Sequence, residues 1–217
     1  MYEITSVYQL RQQFLNEMDR EKREELLKLM SDERFLKKLL EKGSEFDRAW
    51  AISMIKDTAV LKEYAEKDEL PEVRRQALLK IDEQKFLKER VLKENHFLPR
   101  TAAMSKINDS QFFYNIAVSE EYDVLFRDEA IGFINDEKLL AKGIIDCKFG
   151  FANRARTITS QSVWCDIYFK STKPAPKILA VKNMQNINML ITIASTSDNF
   201  DVRQAAIDKI TRLTDWN

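Results

Sequence analysis

Apolar residues along this chain recur at i, i+3, i+4 and i+7, the spacing of one helical face, rather than in alternation. The segment Val73 to Ile81, followed by a turn and then Phe86-Leu87, sets a pattern that returns along the whole chain. Its last apolar residue serves as an anchor, giving Met30, Ile55, Ile81, Ile107, Ile134, Ile158, Met184 and Ile210, with steps of 25, 26, 26, 27, 24, 26 and 26 residues. Three positions before the anchor stand Leu27, Ile52, Leu78, Met104, Ile131, Ala155, Val181 and Ile207. Four before it, alanine fills six of the eight units, at Ala51, Ala77, Ala103, Ala130, Ala180 and Ala206. A second apolar ridge follows five and six positions after it, from Phe35-Leu36 through Phe86-Leu87 and Val163-Trp164 to Met189-Leu190.

Each unit is therefore expected to be two short helices, with Asp57, Asp109, Ser110 and Asp136 as turn and N-cap formers. A helix pair this short cannot bury its apolar face alone and is stable only when stacked on neighbours. The pattern predicts one repeat domain over residues 1–217. Residues 1–20, with Leu10, Phe14 and Met18, form an N-terminal capping half-repeat, and residues 21–217 carry the repeats. The last unit reaches only Trp216 and Asn217, so its second helix is expected to be missing or reduced to a turn.

Composition agrees with helices joined by short polar turns, since Gly and Pro number only four each among 217 residues. Thirty-five basic residues balance thirty-five acidic ones, so the whole molecule has no bias toward nucleic acid or an anionic membrane. Cys147 and Cys165 stand without a second pair, and His96 is the sole histidine, which gives no zinc spacing and no disulfide framework. No P-loop, dinucleotide fingerprint or nucleophile elbow appears. A noncatalytic protein without a cofactor is expected. With no apolar run of membrane-spanning length and no basic n-region, the expected setting is cytoplasmic. Cys147 and Cys165 read as small core residues, and His96 as a cap at a helix C-terminus.

The stretches Glu72 to Ile81 and Asp201-Val202-Arg203 to Ile210 resemble the inner helix of HEAT-type repeats. With a step near 26 residues they are closer to short HEAT-like units and to leucine-rich repeat variant units, which likewise begin with a Val-Arg pair. The resemblance covers residues 20–217 and implies an all-α fold, a right-handed α-solenoid of about eight two-helix repeats. Such solenoids mostly bind proteins, sometimes nucleic acids, and only occasionally catalyse.

Seven positions before the anchor runs a basic ladder, Arg23, Arg48, Arg74, Arg100, Arg127, Lys177 and Arg203, broken by Phe151. Carboxylates two positions after the anchor, Asp32, Asp57, Glu83, Asp109 and Asp136, or turn carbonyls, are the expected partners, as in HEAT repeats. The competing reading of the ladder is contact with nucleic acid.

If the Val-Arg helices line a concave wall, their outward positions hold Trp50, Met54, Arg75, Leu79, Lys80, Lys106, Asp128, Glu129, Phe133 and Arg156. Trp50 and Phe133 are candidate anchors for a bound protein segment, with Arg75, Lys106 and Arg156 meeting its carboxylates. Packing of both rings against the next helix is the competing expectation. A second candidate is the segment 141–182, with eight basic residues against two acidic ones and aromatics Phe149, Phe151, Trp164, Tyr168 and Phe169 interleaved. Most of these aromatics have core spacing. Arg154, Arg156, Lys170, Lys173, Lys177 and Lys182 would there hold phosphates, the alternative being a nucleic-acid binder similar to HEAT-like alkylpurine DNA glycosylases.

Overall fold

A computed structural model describes residues 7–214, apart from the side chains of residues 15, 23 and 27. Among the described residues every regular element is helical. In order they are α1 (Val7–Asn16), α2 (Arg20–Met30), α3 (Glu33–Lys42), α4 (Glu45–Met54), α5 (Thr58–Lys67), α6 (Pro71–Lys80), α7 (Gln84–Lys93) and α8 (Phe97–Ser105). There follow α9 (Ser110–Val118), α10 (Val124–Gly132), α11 (Glu137–Ile145), a 3-10 helix (Phe151–Thr157), α12 (Gln161–Lys170), α13 (Pro174–Asn183), α14 (Ile187–Thr196) and α15 (Phe200–Thr214). The chain forms two compact units, Met1–Ile107 and Asn108–Asn217.

In the first unit α4, α6 and α8 pack side by side, with α3 on α4, α5 on α6, α7 on α8, and α1 against α2 and α4. In the second, α9 packs on α10 and α11, α11 on the 3-10 helix and α12, α12 on α13, and both α13 and α14 on α15. Ala51, Ala77, Ala103, Ala130, Ala180 and Ala206 have no exposed surface, and the lack of a longer side chain there lets neighbouring helices approach closely. At the ridge six positions after the anchor Leu36, Leu61, Leu87, Phe113, Leu140, Trp164 and Leu190 are all buried.

The anchors mark where first helices stop. Ile55, Ile81, Ile158 and Met184 are C-cap residues, Ile107 and Ile134 lie one further on, and all six are buried. Ile210 differs: α15 runs through it, and its neighbour Ile207 is exposed. Trp216 and Asn217 lie outside the described residues, as do residues 1–6 of the N-terminal half-repeat. Leu10 of that half-repeat is buried in α1, whereas Met18 lies past the helix end and is exposed.

Most of the acidic residues after the anchors serve helix starts. Asp32, Asp57, Asp109 and Asp136 accept backbone N–H groups at the starts of α3, α5, α9 and α11, satisfying donors that a helix N-terminus leaves open. Glu83, too long to fold back, instead pairs with Lys62. The ladder's carboxylates stand eleven positions later, where the second helix ends. Arg48 pairs with Asp68 at 2.5 Å and with Glu69 at 3.2 Å. Arg74 grips both oxygens of Glu94, at 2.9 and 3.0 Å, and donates to the Asp68 carbonyl at 2.8 Å. Turn carbonyls serve three others, Glu94 for Arg100, Ala117 for Arg127 and Ser197 for Arg203, and the Arg23 side chain lies outside those described. Lys177 lies over the Tyr168 ring.

His96 caps a helix start rather than an end. Its Nδ1 accepts from Leu98 N at 3.3 Å, because α7 already stops at Lys93 and the next helix begins at Phe97. Buried Asp47 ties α1 to α4, accepting from Val7 N at 2.8 Å while closing a capping box with Ser44.

The most irregular stretch follows α11. Cys147 N donates to Ile144 O at 3.0 Å and Lys148 N to Gly143 O at 2.9 Å, a Schellman closure with Cys147 at the left-handed position, φ 53°. Cys147 is therefore exposed, contrary to its reading as a core residue, while Cys165 is half-buried. Glycine normally takes such a position because a Cβ there crowds the following carbonyl. Cys147→Gly is expected to raise the urea midpoint of the second unit by an increment worth about 1 kcal/mol; an unchanged or lower midpoint would contradict this geometry. Gly150, at φ 82°, then turns the chain into the 3-10 helix, whose Phe151 is fully buried against α11 at Gly143.

Candidate functional site

Each unit carries an open hollow among its outward-facing residues. The first, of about 670 Å³, lies over α4 and takes Phe46, Ala49, Trp50 and Ser53 from it, with Arg11 of α1 and Gln76 of α6. Residues 49, 50, 53 and 76 are outward positions of the repeat, while Ala51, Ile52, Val73, Ala77 and Leu78 of the same two helices are buried. Trp50 is half-buried and Phe46 is 55% exposed, and the two aromatic side chains line one open surface. Glu45 and Glu72 stand at the rim, Glu72 already accepting from Arg75 at 2.9 Å and from Gln76 at 2.7 Å.

The other outward residues divide sharply. Lys106 pairs with Asp82 at 2.6 Å and Arg75 with Glu72, so two of the three cations expected to meet a partner's carboxylates are engaged within the chain. Lys80 caps α4, donating to the carbonyls of Ser53 at 2.5 Å, of Ile52 at 3.4 Å and of Ile55. Burial, with the charge of Lys56 nearby, lowers the Lys80 pKa from its ordinary value. Phe133 is half-buried with its ring on that of buried Phe113, centroids 5.4 Å apart, which is the packing role rather than that of a free anchor. Arg156 is exposed on the 3-10 helix. Phe46 was not singled out in the sequence; its place one turn before Trp50 on the same helix face was the available signal.

The second hollow, of about 480 Å³, lies in the second unit, where the 3-10 helix replaces the α-helix of other units. Its apolar lining includes Ile144, Ala152, Ala175, Pro176, Ile178 and Leu179. Cys147, Lys148 and Lys182 complete it. Of the cations expected to hold phosphates, Lys170 pairs with Asp166 at 3.1 Å and Lys177 rests on Tyr168. Arg154 is half-buried, with its Nε enclosed and unpartnered. Lys173, Lys182 and Arg156 are exposed. Of the interleaved aromatics Phe151 and Trp164 are buried and Tyr168 half-buried, while Phe149 and Phe169 are exposed.

Residues 108–140 hold two basic residues against eight acidic, a net −6, directly before the net +6 of residues 141–182. Among the described residues no group of three or more His, Cys, Asp or Glu side chains gathers as a metal site, and no helix is long and apolar enough to cross a membrane. No protein-family model matches the chain, and neither a curated protein nor a solved structure matches it.

Proposed function

We propose that the chain is a short HEAT-like helical-repeat protein, an α-solenoid in class, acting as a noncatalytic module that binds a protein segment. The repeat reading is supported by the recurring anchor, alanine and N-cap positions and by the side-by-side row α4, α6, α8 in the first unit. The binding reading is carried by one observation: Phe46 and Trp50 line an open hollow on the face of α4 opposite its core. Large aromatic rings that keep apolar surface in water are what an interface anchor needs, because covering them returns free energy at low entropic cost. The partner is a segment that places a bulky apolar side chain between the two rings.

Peptides selected from a random display library on the folded chain test this reading. Phe46→Ser, at an exposed position that leaves the core intact, is expected to weaken the selected peptides at least about tenfold, and Trp50→Ala more. Undiminished binding to both folded variants would sink the site.

A further inference from the structure

We propose that the hollow of the second unit is a separate docking site for an acidic, extended peptide segment that inserts one bulky apolar side chain over Ala152 and Ala175. The apolar floor exists because the chain narrows there. A seven-residue 3-10 helix with Ala152 on its surface stands where other units have an α-helix, leaving Ile178 and Leu179 of α13 only half-covered.

The rim selects for negative charge. Lys148 and Lys182 line the hollow, both are exposed, and neither side chain makes an ion pair or hydrogen bond among the described residues. The start of α13 adds to this field: Lys173 stands at its N-cap, no side chain caps it, and Pro174 and Pro176 occupy its first turn. Pro174 and Pro176 have no N–H, so this helix start contributes the field of its dipole and not a row of donors, beside Ala175 and Pro176, which line the hollow. These features sit within the stretch of net charge +6.

The rim's cations come from two elements: Lys148 follows α11 and Lys182 stands in the last turn of α13, and both line the hollow. A peptide segment with carboxylates on either side of an apolar residue meets both cations while that residue enters the apolar floor, which places attraction and burial on the same ligand.

The test uses the full chain and four probes: a labelled peptide with a leucine pair flanked by aspartates, the same peptide flanked by lysines, dodecanoate, and a single-stranded oligonucleotide. Fluorescence anisotropy or competition gives affinity, and the alkylation rate of Cys147, exposed in this hollow, gives location. The aspartate-flanked peptide is expected to bind, to slow alkylation of Cys147, and to lose at least about tenfold in affinity in the Lys148→Glu/Lys182→Glu variant. Ala152→Glu, at an exposed position, removes binding by a different route, and Phe46→Ser leaves it unchanged, so this site and that of the first unit fail separately. The proposal is overturned if the aspartate-flanked peptide does not bind, binds no better than its lysine counterpart, or leaves Cys147 unprotected. It is equally overturned if dodecanoate or the oligonucleotide is the preferred ligand.

Discussion

Gly143→Ala is expected to lower the stability of the second unit by about 3 kcal/mol, because overpacking a closed contact forces side chains off their rotamers or shifts backbone. A Cβ built on Gly143 would stand 2.1 Å from Phe151 Cδ1, and the Phe151 ring is fully buried. The same substitution at Gly132, the last residue of α10, meets nothing within 4 Å. There the change reduces only the freedom of the unfolded chain and is expected to stabilise by about 0.5–1 kcal/mol. Urea unfolding followed through buried Trp164 therefore should move in opposite directions for two chemically identical changes. Adding Phe151→Leu to the Gly143→Ala variant should recover part of the loss; simple additivity of the two penalties would contradict the contact.

Glu94→Ala is expected to cost about 3–5 kcal/mol in the first unit, since removing one partner of a buried ion pair leaves its counter-charge uncompensated. Glu94 is 6% exposed and receives Arg74 in two bonds, Arg90 at 3.4 Å and the His96 N–H at 3.0 Å. Glu94→Gln, which keeps the shape, should cost less. Burial resists the charge on this carboxyl, yet the bonds from Arg74 and His96 and the field of Arg90 outweigh it and hold the pKa below its ordinary value. The folded state therefore releases the proton more readily than the unfolded chain. Its stabilising contribution is complete above the unfolded value of about 4.3 and declines as pH falls through the depressed folded value. Denaturation midpoints measured between neutral and acid pH should show a shallower acid loss in Glu94→Gln than in the parent, and parallel curves would contradict the assignment.

The period of the chain was legible because it is set by burial. Anchors, alanines and the ridge six positions later each need an apolar side chain, so their identities repeat wherever two helices stack. The ladder's true partners were hidden for the opposite reason. Among the described residues a buried carboxylate ends the second helix at Asp68 and Glu94, while for Arg127 and Arg203 a backbone carbonyl, which has no letter in the sequence, does the same work. The aspartates after the anchors were visible but ambiguous, because charge suggests pairing with arginine while position two residues beyond a helix end suggests capping; the shorter reach favours the cap.

The sites divide along the same line. Trp50 was legible as an outward aromatic, but only the structure adds Phe46 and shows Lys106 and Arg75 already paired. In segment 141–182 the surplus of lysine and the loss of arginine at Phe151 marked an irregular unit. That it becomes a 3-10 helix depends on backbone geometry at Cys147 and Gly150, and a cysteine in the left-handed position announces nothing in a sequence.

The central functional claim, that the aromatic face of α4 receives a partner segment, is tested most directly by the indole N–H signals of the nitrogen-15-labelled chain. During titration with a display-selected peptide, the Trp50 signal is expected to move progressively to saturation, while that of Trp164, 1% exposed in the core of the other unit, stays in place. A peptide that binds tightly with the Trp50 signal unmoved would contradict the claim.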